Sequence, residues 1–166
     1  MGQAREIMDR ITAAVMAGDR EALRQSYAPD AEGETPDAPR LSGAEAMADY
    51  LLGFTRAFPD ASFESTAKHE AGNTAIDEGY FVGTHTGVLS APEGDIEPTG
   101  RTLRLRECDV LTVANGLAVA HRFYYDQLDL LTQLGLTSSD TGAGTVPQPR
   151  AGADRPSQVG TAEPPR

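Results

Sequence analysis

The chain has one cysteine, Cys108, among 166 residues. It can form no intrachain disulfide, and structural zinc, which needs several thiolates or imidazoles close together, has no cysteine set to hold it. Basic residues are also scarce: fourteen stand against twenty-five acidic ones, a formal net charge of -11. A surface of that sign repels phosphate backbones and anionic headgroups, and no Lys/Arg cluster interleaved with aromatics offsets it. Nucleic acid and membrane are therefore not expected partners. There is no long apolar run. The N-terminal MGQAREIMDRITAAVM is amphipathic and carries acids, unlike a signal peptide, and nothing approaches a membrane span. The cytoplasm is the expected compartment. Phosphate-binding glycine loops, nucleophile elbows and zincin motifs are missing too. Any chemistry is expected to be acid–base chemistry with no cofactor and no metal.

What is present is enough for one core. Hydrophobic residues make up 39% of the chain, but the last thirty positions hold only four alanines and two valines of them. The expected division is a domain over 1–136 and a disordered Pro/Gly-rich tail over 137–166, because a segment without large apolar residues cannot offset its ordering entropy. Ile7, Met8, Ile11, Ala14 and Val15 recur at helical spacing and predict a helix from Ala4 to about Ala17, ended by Gly18-Asp19. A shorter helix is expected from Glu21 to Tyr27, stopping at Pro29, and residues 30–42 read as a short strand plus loop. Ser42 can cap a second long helix with its stripe at Ala46, Met47, Tyr50, Leu51, Phe54 and Phe58.

Beyond Pro59-Asp60 the period changes to two. Strands are expected over 61–70, 74–87, 101–113 and 117–126, with a short closing helix from Gln127 to Leu134. Helices followed by a four-stranded antiparallel meander predict an α+β fold with helices covering one sheet face.

The last hairpin carries the candidate chemistry. A three-residue loop, Ala114-Asn115-Gly116, would pair Asp109 with His121 and Glu107 with Phe123. Glu107, Asp109 and His121 would then share an otherwise apolar face with Leu105, Leu111, Phe123 and Tyr125. A two-residue loop would instead set Asp109 against Arg122 and turn His121 to the other face. A carboxylate and an imidazole at cross-strand distance can move a proton near neutral pH, and Glu107 lies close enough to shift either group. A satisfied polar network at the open end of the sheet is the alternative. His85, in VGTHTG, sits either toward the mouth of the same face or in a surface loop. Gly79, Gly83 and Gly87 leave a strip without side chains, which would either give room above the acids or mark a bulge. Asp126 directly precedes the final helix and reads as its N-cap. Phe54, Phe58, Phe81, Phe123 and Tyr125 are candidates for lining a pocket for a flat ligand, or else plain core.

VGTHTGVL, EPTGR and ANGLAVAHRFYYDQLDLLTQLGL together resemble the SnoaL-like polyketide cyclase family over roughly residues 4–136. The resemblance implies a cone-shaped nuclear-transport-factor-2-like fold with a curved antiparallel sheet and N-terminal helices. It also implies an apolar pocket for a small hydrophobic or polyketide-like ligand, and a homodimer. The family's founding activity is an intramolecular aldol ring closure without metal or cofactor. On this alignment His121 and His85 match pocket histidines, and Glu107 and Asp109 fall where the cyclases place polar pocket residues. The cyclases' catalytic aspartate, two positions after the histidine matched by His121, is Phe123 here. The resemblance implies a cyclase or isomerase; with no aspartate at that position, Asp109 would take over as base, with His121 as its partner and acid and Glu107 as support. An epoxide-opening hydrolase and a non-catalytic binding module of the same fold are the alternatives.

Overall fold

The computed structural model describes residues 2–38, 40–91 and 94–137; the expected tail lies outside the described residues, save for Thr137. Helices α1 (Gln3–Ala17), α2 (Arg20–Ser26) and α3 (Ala44–Ala57) precede most of the sheet. The strands are β1 (Tyr27–Glu34), β2 (Leu41–Ser42), β3 (Ser62–Ala71), β4 (Thr74–Thr84), β5 (Leu89–Ala91), β6 (Gly94–Ile96), β7 (Thr102–Ala114) and β8 (Leu117–Tyr125). A last helix, α4, spans Gln127–Gln133.

Six strands form a curved sheet in the order β2-β1-β8-β7-β4-β3, while β5 and β6 make a separate hairpin in what reads from sequence as a loop. The meander β3-β4-β7-β8 is antiparallel, as the alternating pattern predicts. The exception is β1, which runs parallel to β8. Tyr27 does not end the second helix but begins this strand, and Pro29 lies within it. Pro29 removes one ladder donor, and the pairing with β8 is irregular between Tyr27 and Glu32.

Each helix buries one stripe. Ile7, Met8, Ile11, Ala14 and Val15 of α1 pack inward as their spacing predicts. The α3 stripe divides: Met47, Ala48 and Leu52 enter the main core, while Tyr50, Leu51 and Phe54 are only partly covered. Ser42 does not cap this helix. Gly43 occupies the N-cap at φ 88°, with no side-chain hydrogen bond. Asp126 does cap α4, accepting hydrogen bonds from the backbone N–H groups of Leu128 (2.9 Å) and Asp129 (3.1 Å).

The β7–β8 hairpin differs from both registers considered above. Val113 pairs with Ala118 and Ala114 with Leu117, so the loop is the two-residue Asn115-Gly116, both with positive φ (52° and 80°). That is the arrangement a type I′ turn requires. One step further, Thr112 pairs with Ala120, leaving Val119 as an extra residue in a bulge. The bulge reverses the parity that the short loop would impose. His121, Phe123 and Tyr125 therefore return to the inner face, each opposite a β7 residue two places further toward the turn than a three-residue loop would place it.

Candidate active site

The inner sheet face, α1 and α3 enclose a cavity of about 710 Å³, its open mouth included. Met8, Ile11 and Val15 of α1 form one wall, and Tyr50, Leu51 and Phe54 of α3 another. Phe63, Phe81, Leu105 and Phe123 make the sheet side apolar. Into this surface project Glu107, Asp109, His121, Thr12 and the two hydroxyls of Tyr50 and Tyr125. Among the described residues no lysine or arginine lines it.

Asp109 lies opposite Phe123 on β8 and Asp77 on β4. His121 lies opposite Leu111, so it is a diagonal neighbour of Asp109 and not its direct partner. Glu107 is opposite Tyr125 and Gly79. Burial raises the Asp109 carboxyl well above the usual range, and Glu107 and Asp77 add to the shift. Burial also lifts Glu107, to about 7. His121 is 2% exposed, and burial, aided by Arg122, lowers its pKa to about 3. At neutral pH His121 is a neutral imidazole and Glu107 divides between both forms, while Asp109 is shifted toward its protonated form.

Tyr27, from the start of β1, lies 2.7 Å from His121 Nδ1 through its hydroxyl. Burial and the nearby Asp109 keep that phenol protonated. We assign Tyr27 as the donor, which leaves the imidazole hydrogen on Nε2. Nε2 of His121 and Oδ1 of Asp109 are both buried without a hydrogen-bond partner. Such groups are costly to leave bare, so two of them in the wall of one cavity point to a ligand's polar atom as their partner. At the other side, Tyr50 donates to Asp37 Oδ1 (2.9 Å), and its hydroxyl lies 3.2 Å from that of Tyr125.

A sequence model of the SnoaL-like polyketide cyclase family matches residues 5–134. The chain belongs to this family. Among solved structures it is similar to IdmH of Streptomyces antibioticus, a candidate polyketide cyclase (25% identity, 81% of this chain and 99% of that one, TM-score 0.64). A SnoaL-like candidate cyclase from Jannaschia sp. CCS1 superposes with TM-score 0.71 at 17% identity, covering 81% and 93% of the two chains. An epoxide hydrolase of the LEH-like type from M. tuberculosis does so with TM-score 0.58 at 17% identity, covering 80% and 89%. The comparison with curated proteins yields no match.

Within this SnoaL-like domain the predicted residues part company. Glu107, Asp109, His121, Phe54, Phe81, Phe123 and Tyr125 all line the cavity. His85 and Phe58 do not. They stack on each other (ring centroids 5.1 Å apart) in a second core with Leu103, Leu130 and Leu134. His85 Nδ1 accepts from the Thr99 backbone N–H (3.2 Å) and lies 3.1 Å from its hydroxyl, tying the strand end to the PTGR segment. His85 is thus a buried structural histidine, neither a mouth residue nor a surface one.

The glycine strip is filled. A Cβ on Gly79 would lie 2.5 Å from Glu64 O and 2.7 Å from Phe63 Cζ, and one on Gly87 would collide with the Arg56 carbonyl. The missing side chains admit neighbouring backbone, and leave no free space above the acids. Phe123 lies 4.0 Å from the His121 ring and 5.5 Å from that of Tyr50.

Three residues went unread. Arg5 and Asp77 form a buried two-pronged ion pair, and Tyr27 fixes His121. Arg5 sits next to Ala4 on the apolar stripe of α1, and Asp77 shares strand parity with Ala75, Gly79 and Phe81. A charge on each of two buried faces was the available signal.

Proposed function

We propose that this domain is an acid–base enzyme, a cyclase or isomerase acting on a polyketide-like or aromatic carbonyl compound. The single observation that carries this reading is that Asp109 and His121, two side chains lining an apolar cavity, each bury a polar atom (Oδ1 and Nε2) without a partner, beside a carboxyl that titrates near neutrality. The carbonyl oxygen of the substrate accepts hydrogen bonds from protonated Asp109 and from His121 Nε2–H. Glu107, as carboxylate, removes the proton from the adjacent carbon. The electron pair moves to the oxygen, where the two donors stabilise the enolate. That enolate then attacks a second carbonyl of the same molecule, closing a ring as the proton held by Glu107 passes to the new alkoxide, or takes the proton back at another carbon. The roles of Asp109 and Glu107 are thus exchanged relative to the expectation from sequence: the more deeply buried acid keeps its proton and donates, and the other is the base. His121, uncharged, donates through Nε2 and does not carry a transferable extra proton.

The test uses a neutral bicyclic ketone, 2-tetralone, in D2O, together with metabolite profiles of the native organism. Wild-type protein is expected to speed deuterium entry beside the carbonyl, and Glu107→Gln to lose at least about a hundredfold of that rate, the usual contribution of a positioned base. In the organism, a Glu107→Gln strain accumulates an uncyclised or unisomerised precursor. Unchanged exchange and unchanged metabolites with a folded, abundant variant overturn the reading.

Phe123 favours a second one. Where the family's cyclases carry an aspartate, an aromatic ring fills the position, which suits a module that holds a flat ligand without turning it over. Saturable binding of such a ligand, recovered unchanged, is its signature. Neither the homodimer nor the cytoplasmic location is needed for either reading.

A further inference from the structure

Three carboxyl side chains occupy adjacent positions on the inner sheet face: Asp77 on β4, Asp109 directly opposite on β7, and Glu107 two residues before it. One cation serves them. Arg5 of α1 approaches from above, and both of its terminal nitrogens go to Asp77, Nη1 to Oδ1 and Nη2 to Oδ2 at 2.9 Å. Arg5 is 5% exposed and Asp77 1%. Of the guanidinium's other contacts, Nη2 lies 3.2 Å from Asp9 and Nη1 3.5 Å from the Ile76 carbonyl, while Nε is buried without a partner. The start of α1 is itself fixed over the strand, because Glu70 accepts hydrogen bonds from the backbone N–H groups of Gly2 (2.8 Å) and Arg5 (2.9 Å).

We propose that the Arg5–Asp77 pair is a positioning device for the site: Arg5 fixes the Asp77 side chain directly opposite Asp109, and that fixed neighbour keeps the Asp109 carboxyl a hydrogen-bond donor. A bidentate guanidinium sets the place of the Asp77 carboxyl group. Cross-strand neighbours have Cβ atoms about 4.5–5.5 Å apart, close enough for like charges in a dry site to exclude one another. The other groups facing Asp109 do not reverse this. On its own strand there is Glu107, a further acid. From β8 comes His121, neutral, with Arg122 on the opposite face. From β1 comes Tyr27, whose hydroxyl is taken by His121. From α1 comes Arg5 itself, both of whose terminal nitrogens are taken by Asp77. No cation among the described residues hydrogen-bonds Asp109, whose Oδ1 is bare.

The inference rests on Asp109 acting as a donor in the proposed reaction, but its test reads a titration and not turnover. The carboxyl carbons of the full chain, labelled with 13C-aspartate, are followed by NMR against pH, and the Asp109 signal is assigned by its loss in Asp109→Asn. Asp109 is expected to stay protonated through pH 7 in the wild type. In the double variant Arg5→Gln/Asp77→Asn, which leaves no bare guanidinium near Asp109, its midpoint falls by about one pH unit or more, the scale of a close like-charge effect. A purely structural ion pair would lower the melting temperature and leave the midpoint alone. Should that double variant not fold, Arg5→Met/Asp77→Leu removes the same pair and is read in the same way. Wild-type Asp109 ionised at pH 7, or an unmoved midpoint in a folded variant, overturns the proposal. A wild-type result as expected with no ketone exchange would leave this electrostatic device standing and remove only the catalytic role.

Discussion

At the scale of single residues, the site is governed by what burial does to each titratable group. Glu107 titrates at about 7 in the folded chain, against 4.5 for an unperturbed glutamate. Between those two values the unfolded chain loses its proton while the folded one keeps it. Stability therefore falls as pH rises from about 4.5 to about 7 and then levels off as far as Glu107 is concerned. The size of this effect is about 3 kcal/mol at 1.36 kcal/mol per unit. Urea midpoints measured across this range should slope downward, and Glu107→Gln should flatten part of the slope. The same titration predicts that wild-type ketone exchange rises with pH through about 7, as the base form of Glu107 appears. Tyr27→Phe makes a separate prediction. It strands His121 Nδ1 in the core and should cost about 1–3 kcal/mol by urea denaturation, the penalty for an unpaired buried acceptor.

At the scale of elements, close approach of backbone decides what is tolerated. Gly79→Ala pushes a methyl group against Glu64 O and the Phe63 ring, so β3 must move off β4. A loss of about 1–3 kcal/mol is expected, the range for overpacking, again read from urea midpoints. Removing the Asp126 cap with Asp126→Ala should cost about 1 kcal/mol and fray α4. Elements whose signal is local were legible in the sequence: the α1 stripe, the β3 and β4 alternation, the Asp126 cap. The hairpin was half legible. Asn115-Gly116 announces a two-residue turn, but a bulge at Val119 has no local signature, because nothing in an Ala-Val-Ala run marks which residue goes unpaired. The inner face of Glu107, Asp109 and His121 could thus be named while its pairings could not. Tyr27 failed for the related reason that its strand forms through a partner ninety residues away, which no window of neighbours contains. His85 misled because a histidine beside glycines looks the same in a sequence whether its ring meets a cavity or the Phe58 ring.

At the scale of the whole molecule, both cores among the described residues run to Leu134, and positions 138–166 offer two valines as their largest aliphatic side chains to extend them. A chain ending at residue 137 is accordingly expected to melt at the same temperature as the full one, a point settled by calorimetry. The sheet's parallel pair has a different kind of consequence. β1 is encoded at positions 27–34, yet its long-range neighbour β8 is encoded at 117–125. On the ribosome, the first strand to be made waits for the last, and Tyr27 has no imidazole to hold until nearly the entire domain has left the exit tunnel. Synthesis thus yields an open half-sheet for most of its duration. The domain's exposure to chaperones and to wrong partners is set by the time taken to translate the residues between β1 and β8.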